Sequence, residues 1–293
     1  MGFNGSRHVH FTKMSGAGND FVVVDNRDGS IADGADFARV ICHRRFGVGA
    51  DGLLLLESST AADFAMKYYN ADGSYGGMCG NGGRCISRFA YETGAVESRE
   101  IEFEALDYVY RAKLQPEGVC LWMKDPIDFR LQQSIQLSTS LVKFNFVNTG
   151  SPHCVIFLDE NSHLGDSIEK VDVVGVGTEV RHHALFQPQG ANVTFLERKG
   201  PSLFHARTYE RGVEDETMAC GTGAVASALI AHRMRGADRP VRIGVRSGEE
   251  LRVDFLPQEG GGYHDVTLEG SARVVFQGAV EYNSATHSIV DIC

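Results

Sequence analysis

Met78-Cys79-Gly80-Asn81-Gly82-Gly83 and Ala219-Cys220-Gly221-Thr222-Gly223-Ala224 are two runs of one pattern, a cysteine followed by glycines at the start of an apolar stretch. After the first run, Cys85, Ile86, Phe89 and Ala90 recur at helical spacing and stop near Gly94. After the second, Ala224 to Met234 is a strong helix former closed by Gly236. Both runs follow strand-like segments. The two cysteines stand 141 residues apart in a chain of 293, about half its length. Two similar domains would place them so. Glycine is abundant, with 34 residues, so chance clustering explains one such run more easily than two in matching context.

The surrounding sequence supports an α/β chain. Phe21 to Val24, Leu53 to Glu57, Phe64 to Tyr69, Phe144 to Val147, Val155 to Leu158, Asn192 to Glu197 and Phe204 to Tyr209 read as strands. Ile101 to Met123 is also strand-like. Asp33 to Phe46 reads as a helix capped by Asp33 and stopped by Gly47, and Val180 to Phe186 as a short helix. Gly47-Val48-Gly49-Ala50-Asp51-Gly52 matches the dinucleotide pattern GxGxxG letter by letter. That motif works only between a preceding strand and a following helix. Here the order is helix then strand, so a glycine-rich turn is expected.

Composition narrows the function classes. Hydrophobic residues at 43% allow a full core. A net charge of -10 argues against a nucleic-acid or anionic-membrane surface. No apolar leader opens the chain, and Leu53-Leu54-Leu55-Leu56 is far too short to span a bilayer. The expected location is the cytoplasm. Seven cysteines are an odd number for a disulfide framework, and five residues separate Cys79 from Cys85, unlike a zinc knuckle. Cys42, Cys85, Cys120, Cys154 and Cys293 are read as inert small side chains.

Cys79 and Cys220 differ by position. An ordinary thiol is only about 3% thiolate at pH 7. A helix start stabilises the anion through its unpaired amides and dipole. The same amides can hold a carboxylate and stabilise charge that develops on it as an enediolate. One thiolate and one thiol on opposite faces of a carbon suit a reaction whose substrate and product are mirror images there. His153 and Glu210 are candidate tuning groups. Equally, His153 could hydrogen-bond within a turn, and Glu210 could be an ordinary strand-end carboxylate.

Taken in order, these motifs resemble the diaminopimelate epimerase family, among the proline racemase-like, cofactor-independent amino-acid isomerases. The resemblance runs from about His10 to about Val280. Beyond the two cysteine runs, its marks are Lys13 to Phe21, Gly47 to Gly52, Asn70 to Ser74, Arg84-Cys85, Gly150 to His153 and Glu210 to Gly212. It implies conversion of LL-2,6-diaminoheptanedioate to the meso form in lysine biosynthesis, with no cofactor or metal. It also implies two pseudo-symmetric domains, each a mostly antiparallel sheet wrapped around a central helix, with the active site in the cleft between them. The implied limits are 1–135, completed by a strand at 275–290, and 136–274. A homodimer is implied as well.

Carried over by motif, Cys79 and Cys220 match the acid/base pair, and His153 and Glu210 their polar neighbours. Gly80, Asn81, Gly221 and Thr222 match groups on the reacting carboxylate. Asn19, Asn70, Asn192, Glu210 and Arg211 match residues at the distal amino and carboxylate groups. Ser151 stands where many members carry Asn, and Tyr75-Gly76-Gly77 lacks acidic residues often found before Met-Cys. The alternatives are a related racemase acting on another amino acid, or a non-catalytic amino-acid-binding protein.

Overall fold

The computed structural model describes residues 6–292. The chain divides into two compact units, one formed by the stretch up to Leu121 and that from Gly270 onward, the other by Trp122–Glu269. These limits differ from 135 and 274 for a simple reason. Strand pairing carries residues 127–136 with the second unit, because they form a hairpin with 141–148. The returning segment pairs with the first strand of the chain.

In chain order the first unit contains β1 (Ser6–Gly16), β2 (Asn19–Asp25), α1 (Gly34–Ile41), β3 (Gly52–Glu57), β4 (Phe64–Asn70), α2 (Gly80–Glu92), β5 (Glu100–Ala105), β6 (Tyr108–Leu114) and β7 (Val119–Trp122). The second unit follows with β8 (Ile127–Gln136), β9 (Leu141–Asn148), β10 (Pro152–Phe157), α3 (Val173–His182), β11 (Asn192–Arg198), β12 (Leu203–Glu210), β13 (Asp215–Thr217), α4 (Gly221–Arg235), β14 (Val241–Gly244), β15 (Glu250–Pro257) and β16 (Tyr263–Gly270). β17 (Arg273–Asn283) and β18 (Ser288–Ile292) return to the first unit.

The repeat is explicit in the pairing. β1 to β7 join as antiparallel, parallel, antiparallel, parallel, antiparallel, antiparallel. β9, β10, β11, β12, β14 and β15 with β16 repeat that sequence of senses. A parallel step needs a crossover, and the crossovers match: α1 and α3 serve the first in each unit, α2 and α4 the second. The fold is therefore the expected α/β one, with a mostly antiparallel sheet around a central helix in each unit.

The two central helices are buried for the reason their sequences suggest. α4 is apolar nearly all round, and Gly223 to Ala231 are all buried. A helix without a polar face must be enclosed, and α4 packs on β9, β10, β11, β12, β14 and β15. α2 is enclosed by β1, β2, β3, β4 and β6. Gly16 lets β1 come close to α2: a Cβ there would meet the Asn81 carbonyl at 3.0 Å and the Cys85 sulfur at 3.2 Å.

Two helices differ from expectation. α1 ends at Ile41 instead of Phe46, because the His43 ring takes over the backbone: its Nδ1 accepts from the Phe46 amide at 3.1 Å. Asp33 does cap α1, accepting from the Asp36 amide at 3.0 Å. α3 begins at Val173, seven residues before the expected start at Val180. Its valine- and glycine-rich opening has poor helix propensity. Asp172 caps it, accepting from the Gly175 amide at 2.9 Å, and the helix lies so close to β12 that a Cβ on Gly177 would meet Tyr209 Cβ at 2.6 Å. No helix among the described residues is long and apolar enough to cross a membrane.

Candidate active site

Cys79 and Cys220 each occupy the residue before the central helix of their unit, in extended backbone (φ −119°, ψ 123° and φ −111°, ψ 110°). Neither helix carries an acidic residue in its first turn. The positive helix ends are therefore not neutralised locally, which favours an anion beside each sulfur. Gly223 leaves room beside Cys220: a Cβ there would crowd its sulfur at 3.3 Å and Thr194 Oγ1 at 3.1 Å, so these neighbours would have to shift by a few tenths of an ångström.

In the first unit, register gathers the groups. Phe21 pairs with Gly52 and Gly52 with Asn70, so Asn19, Asp51 and Asn70 lie at one end of the sheet. Asn19 Nδ2 donates to Asp51 Oδ2 at 2.6 Å. Its Oδ1 lies 3.7 Å from the Cys79 sulfur and 3.5 Å from Asn81 Nδ2. Arg84, fully buried on α2, donates from Nη2 to Asn81 Oδ1 at 2.9 Å. Asn70 accepts from the Tyr68 hydroxyl and donates to Ser74 Oγ.

Below Asn19, Asp20 holds the turn of 47–52 in place. Burial pushes its carboxyl up, but hydrogen bonds from Arg44 and Lys13 prevail and hold it at about 2. Lys13 also donates to the Gly49 carbonyl. The GxGxxG letters thus form a turn from α1 into β3, as expected from their order.

In the second unit, β10 and β11 run in parallel with His153 opposite Asn192. Arg211, just past β12, donates its backbone N–H to Asn192 Oδ1 at 2.8 Å. This orients the amide, so Asn192 Nδ2 faces Ser151 Oγ at 3.0 Å and His153 Nε2 at 3.3 Å. The Asn192 amide nitrogen at this distance favours His153 Nε2 as an acceptor, with the ring proton on Nδ1. That Nδ1 is buried without a hydrogen-bond partner among the described residues. Burial, helped by the charge of Arg211, pushes His153 down to about 3.

Thr222 ties the second set together. Its Oγ1 lies 2.9 Å from His153 Nε2, 3.3 Å from Ser151 Oγ and 3.6 Å from the Cys220 sulfur. Ser151, the departure from the common Asn, is thereby bonded to the histidine, the threonine and Asn192. Glu210 accepts from the Thr217 hydroxyl at 3.0 Å, and Arg211 Nη1 donates to the Gln189 carbonyl at 3.3 Å.

The expected residues thus fall into two sets, Asn19, Asn70, Cys79, Gly80 and Asn81 in one unit, and Ser151, His153, Asn192, Glu210, Arg211, Cys220, Gly221 and Thr222 in the other. Asp51 and Arg84 lie within the sequence motifs, and the structure adds both to the first set. The cue was available, since a carboxylate closing a glycine turn and an arginine inside an apolar helix both need partners. Burial pushes the Cys42 thiol up to about 12 and raises that of Cys154 well above its ordinary value, so their anions are disfavoured. Cys293 lies outside the described residues.

Solved structures with this fold include a hydroxyproline epimerase from Agrobacterium vitis, with a TM-score of 0.71 and 16% identity over 96% of this chain and 94% of that one. A PhzF-family phenazine biosynthesis protein from Bacillus anthracis gives 0.70 and 14%, over 94% and 99%. The architecture is that of the proline racemase-like and PhzF-like enzymes.

The family model for diaminopimelate epimerase matches residues 11–125 and 145–259, one stretch in each half of the chain. The diaminopimelate epimerase of Chlorobaculum tepidum is 44% identical over 270 residues, covering 91% of this chain and 99% of its own. That of Aquifex aeolicus is 38% identical over 283 residues, covering 92% and 97%. This chain belongs to the diaminopimelate epimerase family, and it is an isomerase of the epimerase class.

Proposed function

We propose that this enzyme converts LL-2,6-diaminoheptanedioate to the meso form in lysine biosynthesis, with Cys79 and Cys220 as the two acid/base groups. The observation that carries the assignment is the equivalent placement of both cysteines. Each stands at the glycine-rich start of the central helix, at the same step of a repeated topology.

The chemistry follows from that placement. One thiolate takes the α proton, and the C–H electron pair moves onto the carboxylate as an enediolate. First-turn amides of α2 and α4 are suited to hold that charge. The other thiol returns a proton to the opposite face. The enzyme ends with its protonation exchanged, and the reverse direction uses the same groups in swapped roles. No redox or electron-sink group enters this balance.

His153 and Glu210 are assigned as polar neighbours of the reacting pair. The buried, neutral His153 acts on Cys220 through the Thr222 hydroxyl in this reading, since at about 3 it is too weak a base to deprotonate a thiol. Gly80, Asn81, Gly221 and Thr222 are assigned to the reacting carboxylate. Asn19, Asn70, Asn192, Glu210 and Arg211 are assigned to the distal end, where Arg211 suits a carboxylate and Glu210 an ammonium. Ser151 replaces the usual amide with a hydroxyl. A cytoplasmic homodimer completes the proposal.

Heavy-water exchange tests it. Each stereoisomer, incubated separately, should give product carrying deuterium at the inverted α carbon, while the unconverted isomer keeps its hydrogen in the initial phase. Cys79→Ala and Cys220→Ala should each bind substrate yet lose stereoinversion almost completely. Full turnover by either variant would refute the two-base assignment, and faster turnover of L-proline than of the LL substrate would refute the substrate.

A further inference from the structure

Four side chains of the first unit form a hydrogen-bonded row with one possible sense. At one end Arg84 can only donate; at the other, Asp51 as a carboxylate can only accept. Between them stand two amides, each able to face either way. Arg84 Nη2 donates to Asn81 Oδ1 (2.9 Å), Asn81 Nδ2 to Asn19 Oδ1 (3.5 Å), and Asn19 Nδ2 to Asp51 Oδ2 (2.6 Å). Reversing either amide would set two donors or two acceptors against each other. The two ends therefore dictate which atom of Asn19 is turned to Cys79. It is the carbonyl oxygen, 3.7 Å from the sulfur.

We propose that Asp51 is a positioning residue which, through Asn19, presents a hydrogen-bond acceptor to Cys79 and so holds it as a thiol in the substrate-free enzyme. An acceptor beside sulfur favours S–H over the anion. This opposes the helix start, which favours the anion. Asp51 thus decides which influence Cys79 feels. The inference rests on the two-base reading and deepens it, making Cys79 the acid and Cys220 the base in the direction that starts from this resting state, while the reverse direction starts from the exchanged one. The charged groups joined to this row are Asp20, Lys13, Arg44 and Asp51 on the β1–β2 and α1–β3 segments, and Arg84 on α2.

The test separates orientation from a plain charge effect. Iodoacetamide labelling of Cys79, followed by peptide mass spectrometry across pH, gives the midpoint of its ionisation without substrate. Asp51→Asn removes the shorter of the two contacts that hold the Asn19 amide, 2.6 Å against 3.5 Å to Asn81, so the amide is released to turn over and the midpoint should fall by about one pH unit. In an Asn19→Ala background the same change should have almost no effect, because the amide it acts through is gone. An equal fall in both backgrounds would reduce Asp51 to a distant charge and overturn the proposal, as would no fall in either. Asp51→Ser, which can also face either sense of the amide, serves if Asp51→Asn does not fold. Labelling is independent of turnover, so loss of this proposal and loss of the two-base reading, tested by Cys79→Ala, remain distinct.

Discussion

Thr222 Oγ1 lies 2.9 Å from His153 Nε2 and 3.6 Å from the sulfur of Cys220. One hydroxyl thus connects a buried imidazole to a helix-start cysteine. Thr222→Val keeps the shape and removes the hydroxyl. It should cost about 1–3 kcal/mol in stability, since buried polar partners lose a bond, and lower kcat by about tenfold to a hundredfold. Urea unfolding and steady-state kinetics measure the two effects. Unchanged kcat would show that Thr222 does not link the two groups.

His153 makes stability depend on pH in a definite direction. Its folded value, about 3, lies below its ordinary value of 6.5. The unfolded chain therefore binds more protons between those limits, so stability is full above 6.5 and falls as pH drops toward 3. Asp20, held at about 2 against an ordinary 3.8, adds its loss only below 3.8. The interval from 6.5 to 4.5, above the ordinary value of Glu100, Glu169, Glu179 and Glu214, which are lowered too, isolates the histidine contribution, to which His232, also lowered chiefly by burial, adds in the same sense. His153→Gln should flatten the slope there in denaturant titrations at stepped pH. An unaltered slope would mean that His153 is not neutral in the folded protein.

Lys13 and Arg44 both pair with Asp20, at 2.6 Å and 2.9 Å, but Lys13 is 8% exposed and Arg44 60%. Lys13→Met should cost about 2–4 kcal/mol, since a largely buried carboxylate loses its buried partner. Arg44→Met should cost less than about 1 kcal/mol, an exposed pair being screened by solvent. Equal losses in urea unfolding would contradict this ordering.

Gly223→Ala separates stability from chemistry. Alanine favours helix by about 1 kcal/mol, offsetting the crowding against Thr194 and Cys220. The melting temperature should change little, while kcat should fall about tenfold or more as the sulfur is displaced. Wild-type turnover in this variant would show that the sulfur position tolerates a shift.

Most strands and both central helices were legible because their signals are local. Leu53 to Leu56 can only be a buried strand or core segment, and the alanine-rich α4 can only be an enclosed helix. α3 was misplaced by seven residues because its start depends on Asp172 and on the closeness of Tyr209, and neither is a matter of propensity. The limits of the units were displaced because a strand belongs to whichever partner it pairs with, and β8 pairs forward.

Sequence alone determined the chemistry on offer: two cysteines at glycine-rich helix starts, half a chain apart, with the polar residues of a known family. Only the tertiary structure decided the sense of each hydrogen bond around them. Whether Asn19 turns its oxygen or its nitrogen to Cys79, and whether His153 accepts or donates at Nε2, depends on Asp51, Arg84 and the Arg211 amide. An amide or imidazole can face either way until a partner restricted to one role is brought beside it. Chain folding brings Asp51 to Asn19 from 32 residues away and the Arg211 amide to Asn192 from 19, whereas Arg84 orients Asn81 within one helix.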